Sequence, residues 1–82
     1  MEGSQVEVYL NTPLLKFKYR IGKEDRELLD GVVRLSGKVI KESLSGFTLS
    51  VAQLSNMKVS QTDLPFETIF IPMSKVDFVV LK

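Results

Sequence analysis

The segment 14–21 alternates without a break, with Leu15, Phe17, Tyr19 and Ile21 on one parity and Lys16, Lys18 and Arg20 on the other. Successive side chains point to opposite faces of a strand, so this run predicts a strand that is apolar inward and cationic outward. The same period of two governs 5–10, where Val6, Val8 and Leu10 oppose Glu7 and Tyr9. It returns in 32–42, where Val33, Leu35, Gly37 and Val39 oppose Arg34, Ser36 and Lys38. Three half-buried strands of this kind constrain the chain to a mainly β fold.

The connections follow from turn chemistry. Asn11-Thr12-Pro13 predicts a turn or bend, because Pro13 has no amide proton for a ladder. Segment 22–31 predicts a short helical turn, with Glu24 and Asp25 at its positive end and Gly31 as its stop. Asp30-Gly31 between Leu28-Leu29 and Val32-Val33 is also a tight-hairpin signal, a competing reading beside the preferred helical turn. Gly37 inside a strand predicts a bulge or sharp bend where another backbone approaches. Segment 47–56 begins as a strand through Phe47, Leu49 and Val51. Its exit is irregular or helical, since Ser50 and Gln53 have the spacing of a capping box. Residues 57–66 predict an exposed loop and 1–4 a disordered lead. From Glu67 to Leu81 two short strands bend at Pro72.

A single domain over 1–82 follows from the length. At this size an apolar core supplies no more than about 3 to 5 kcal/mol of net stability, which disulfides, a metal or a partner subunit usually supplement. The chain has no cysteine and no histidine, so disulfides are excluded and the preferred zinc ligands are missing. Self-association is the remaining supplement, and a homo-oligomer is expected. No apolar run reaches the length of a membrane span, and the polar start Met-Glu-Gly-Ser-Gln does not resemble a signal peptide. A cytoplasmic location away from membranes is expected.

Catalysis near neutral pH most often recruits histidine or cysteine, and neither is present. The carboxylates Glu24, Asp25, Glu27 and Asp30 crowd into one polar connection, the composition of a solvated surface. No phosphate-binding glycine loop occurs. A protein that is not an enzyme and takes no cofactor is the expectation.

The net charge of +1 hides an uneven spread: between Leu14 and Lys41 the balance is +4. If segment 14–21 pairs antiparallel with 32–42, parity sets Lys16, Lys18, Arg20, Arg34 and Lys38 on one surface. Such a surface neutralises phosphates, with an affinity that falls as salt rises, and RNA is the expected anionic partner. The competing role for these lysines is protection of an exposed strand against aggregation, with Glu7 as a neighbouring counter-charge. In that case the protein is a protein-interaction or structural adaptor. Phe17 and Tyr19 fall on the inward parity, leaving Tyr9 as the aromatic expected to be exposed.

From about Glu27 to Leu81 the order of elements resembles the Sm-like family. Val33-Arg34-Leu35-Ser36-Gly37-Lys38-Val39 looks like its first motif, and Ile69-Phe70-Ile71-Pro72-Met73-Ser74-Lys75-Val76 is similar to its second. The resemblance implies a strongly bent barrel that closes into rings and binds RNA around the pore. Ser43 and Phe47 stand nearest to where family members carry an aspartate and an asparagine that hold a base. Pro72-Met73-Ser74 stands where they carry a basic residue and glycine, so no RNA-contact residue transfers. The expected fold is therefore a small, strongly bent antiparallel sheet or barrel of the Sm/SH3-like kind. It carries an extra N-terminal strand pair and at most one short helix.

Overall fold

The computed structural model describes residues 1–14 and 18–82. It is mainly β and antiparallel, as the period of two predicts. One sheet contains β1 (Gln5–Leu14), β4 (Val32–Ser43), β5 (Gly46–Ser55), β6 (Ser60–Gln61), β7 (Thr68–Pro72) and β8 (Val76–Leu81). A separate two-stranded sheet joins β2 (Lys18–Ile21) to β3 (Glu24–Glu27). The strand order is β6-β5-β4-β1-β8, and β7 pairs with the first half of β5.

That order bends the sheet. β7 and β8 lie at opposite ends of it, yet only a one-turn 3-10 helix, Met73–Lys75, separates them in sequence. Three residues reach about 10 Å even when extended, so the sheet curls until its ends approach. The bend expected at Pro72 is where this helix begins. Two breaks in the β4–β5 register leave Ile40 and Ala52 without an opposing residue, and bulges of this kind sharpen local twist. Between them, Gly37 lies so close to β5 that a Cβ would collide with the backbone carbonyl of Ser50.

The core sits inside the curl. Val6, Val8 and Leu10 from β1, Leu35 and Val39 from β4, and Phe47, Leu49 and Leu54 from β5 form one buried cluster with Leu28, Val32 and Ile71. β1 contributes a single parity, whereas in β4 Val32 takes the buried place that alternation gives Val33, and in β5 the bulge at Ala52 shifts the inner set from Phe47 and Leu49 to Leu54.

Three local expectations change. β1 continues through Asn11-Thr12-Pro13 to Leu14 instead of turning there, although its ladder to β4 is interrupted between Tyr9 and Leu14. Segment 47–56 stays extended to Ser55, because β4 on one side and β6 and β7 on the other occupy its backbone groups. Ser50 and Gln53 therefore cap no helix. The helical turn within 22–31 is replaced by β3, while Asp30 and Gly31 do form a turn, with Gly31 at φ 70° and its N–H donated to the Leu14 carbonyl.

Candidate functional site

β2 and β3 form a tight hairpin. Ile21 and Glu24 pair directly, leaving Gly22 and Lys23 as a two-residue turn with Gly22 at φ 62°. A glycine at the first central position is what a type II′ hairpin turn requires. The register opposes Arg20 to Asp25 and Lys18 to Glu27. Arg20 Nε donates to Asp25 Oδ1 at 2.9 Å, with both side chains well exposed.

This pairing separates the cations that parity had grouped. β2 does not pair with β4, whose neighbours are β1 and β5, so Lys18 and Arg20 do not share a sheet with Arg34 and Lys38. Lys16 and Phe17 lie outside the described residues, as do the side chains of Lys18 and Tyr19. The inward face expected of the two aromatics and the outward face expected of the two lysines belong to that segment.

Arg34 and Lys38 do share the outer face of the main sheet. Arg34 stands between Tyr9 on β1 and Ser55 on β5, and Lys38 stands between Gln5 and Ser50. Arg34 is held from two sides: Nη1 lies 3.4 Å from Glu7 Oε2, and Nη2 donates to Ser55 Oγ at 3.2 Å. Glu7 is thus the counter-charge expected of it, and Lys82 Nζ reaches the same carboxylate at 3.7 Å. Ser55 Oγ in turn shares a hydrogen bond with Ser60 Oγ at 2.8 Å. Lys38 is exposed and makes no ion pair among the described residues.

Register aligns Phe78, Tyr9, Arg34, Ser55 and Ser60 in one row across five strands. At its apolar end the Tyr9 and Phe78 rings stack, with centroids 4.5 Å apart and planes 14° from parallel. Tyr9 is only partly exposed, and the more exposed aromatics are Phe70 and Phe78. The inward and outward parities of β7 and β8 gave no sequence warning of this, since apolar residues occupy both.

A groove of about 350 Å³ opens beside the row, between Tyr9, Arg34 and the turn that follows β5. Asn56 fixes that turn. Its Oδ1 accepts the Lys58 and Val59 N–H groups at 2.8 Å each, and its Nδ2 donates to the Asp30 carbonyl at 3.0 Å. Nearby, the Gln61 side chain accepts from the Leu29 N–H, and Arg26 pairs with Asp63 and Glu24. These partners raise the Arg26 guanidinium above its ordinary value, first through the hydrogen bond to Glu24 and then through the charge of Asp63. The ordered turn nevertheless leaves Met57 and Val59 exposed to solvent.

The groove holds no acid–base pair, and no group of metal-ligating side chains occurs among the described residues. No helix among them is long and apolar enough to cross a membrane. No family model, curated protein or solved structure matches the chain.

Proposed function

We propose that the chain is a non-catalytic protein-interaction module that works as a homo-oligomer in the cytoplasm. The observation that carries the reading is the contrast on its surface: Arg20, Arg26 and Arg34 are engaged by carboxylates of the same chain, while Phe78, Val80, Leu81, Met57 and Val59 face solvent. Exposed apolar residues gathered on an edge strand and an ordered turn favour protein contacts. Arginines already paired have less to offer a phosphate backbone. The lack of histidine and cysteine supports the non-catalytic part, and the small core supports self-association. The Sm-like resemblance, carried by Val33–Val39 and Ile69–Val76 alone, enters this proposal only as a bent-barrel fold, without the ring or the RNA it implies.

The alternative, a basic face reading RNA, retains Lys38 in its favour as an exposed cation on the outer face. Solution mass measured beside titration with single-stranded RNA separates the two. The interaction reading expects an oligomer and no saturable RNA binding at micromolar protein in low salt. A monomer at every concentration removes the oligomer. RNA binding that weakens steeply with salt overturns the reading in favour of the anionic partner.

A further inference from the structure

The free edge of β8 carries enough detail to define a partner and a register. Among the described residues β8 pairs with β1 alone and lies at the end of the strand order. Lys82 donates its N–H to the Gln5 carbonyl at 3.0 Å, so the backbone of Lys82 faces β1. Strand alternation then turns Val80 and Phe78 toward β1 as well, and it turns the N–H and C=O groups of Val79 and Leu81 outward to the free edge. The side chains of Phe78 and Val80 lie on the outer face of the sheet, opposite Tyr9 and Glu7, and both are exposed. An edge with open backbone groups and apolar side chains is a template for another strand.

We propose that this edge pairs with β8 of a second copy, antiparallel, about a two-fold axis at Val79. The inference rests on the self-association reading and gives it an interface. Antiparallel addition about an axis through a residue keeps outer residues opposite outer residues, and Val79 is the residue near the middle of β8 whose own backbone groups point outward to make the central hydrogen-bonded pair. Centred on Val79, the pairing engages all of β8 and sets each Phe78 across from the second copy's Val80, an aromatic and β-branched pair of the kind that stabilises sheets. In this register Asp77 falls opposite Leu81 and Lys82 opposite Val76 of the second copy, so no like charges meet, whereas parallel pairing in register would align them. β7 is a poorer acceptor, since it ends at Pro72 and lacks an N–H there, and β6, β2 and β3 are at most four residues long. A two-fold pairing closes with two copies, and a β8-to-β7 pairing would repeat head to tail.

Single cysteines test this cleanly because the chain has none of its own. On the axis, Val79→Cys places two Cα atoms about 5.5 Å apart, within disulfide reach. Val80→Cys places them on a diagonal of about 7 to 8 Å, at or beyond that reach. Under mild oxidation V79C is expected to become a covalent dimer and V80C to stay largely uncrosslinked. Val80→Lys, at an exposed site, is expected to halve the solution mass while leaving the circular dichroism spectrum of the folded protein unchanged. An oligomer that ignores V80K, or that cross-links through V80C and not V79C, overturns the interface while self-association stands. A wild-type chain that is monomeric throughout overturns both.

Discussion

Gly37 and Gly22 are both needed as glycines, for different physical reasons. At Gly37 the obstacle is space, since a Cβ would meet the Ser50 carbonyl carbon and oxygen of the adjoining strand. Gly22 has nothing within 4 Å of an added Cβ, and its constraint is the backbone angle alone. Gly37→Ala is therefore expected to cost about 3 kcal/mol, because the β4–β5 ladder must shift. Gly22→Ala is expected to cost about 1 to 2 kcal/mol, the penalty of a left-handed conformation for an L-residue. Urea unfolding of the two variants checks the order, and equal midpoints would show that the β4–β5 contact is not tight. The bend at Gly37 was legible because a glycine interrupted an alternating run. The residue it approaches, Ser50, was not legible, since no local pattern specifies which backbone crosses a bend.

At the scale of elements the decisive unit is the β2–β3 hairpin. Its charges mirror one another about Gly22-Lys23, with Arg20 opposite Asp25 and Lys18 opposite Glu27. Opposite charges directly across antiparallel strands stabilise a pair by about 0.2 to 1 kcal/mol, and like charges oppose it. Arg20→Asp is expected to lower stability by roughly 0.5 kcal/mol, and adding Asp25→Arg to restore most of the loss. A double-mutant cycle with no coupling would mean that the turn alone sets the register. The base of the hairpin is tied to the segment after β5 by Arg26–Asp63, Leu29–Gln61 and Asp30–Asn56 contacts. Asn56→Ala removes three hydrogen bonds at once and is expected to cost about 2 kcal/mol. It should also speed amide exchange at Lys58 and Val59, and unchanged exchange there would show that the turn holds without its side chain. These ties join residues 26 to 37 positions apart through their side chains, which periodicity does not register.

For the whole molecule, the strand order and the three-residue link from β7 to β8 make curvature a topological necessity. The same curl leaves β8 as an exposed edge, where the proposed self-association makes stability depend on protein concentration. Tenfold dilution is expected to lower the thermal midpoint measurably, by mass action on the oligomer, and a midpoint independent of concentration would argue against association in the native state. By itself the sequence determined the inward side chains of β1, Leu35 and Val39 of β4, and Phe47 and Leu49 of β5, because strand parity is a local property that burial of one face makes binding. It also determined the bend at Pro72, where the missing N–H stops a ladder. Tertiary structure alone decided the partner of segment 18–21. Parity assigns a residue to a face and leaves the neighbouring strand open, and β3, reached across a two-residue turn, closes a shorter loop than β4. That choice moved Lys18 and Arg20 to a separate sheet and left Arg34 to Glu7 and Ser55. Of the basic row implied by alternation, Arg20 and Arg34 are locally neutralised, and Lys38 stands exposed on the other sheet from Arg20.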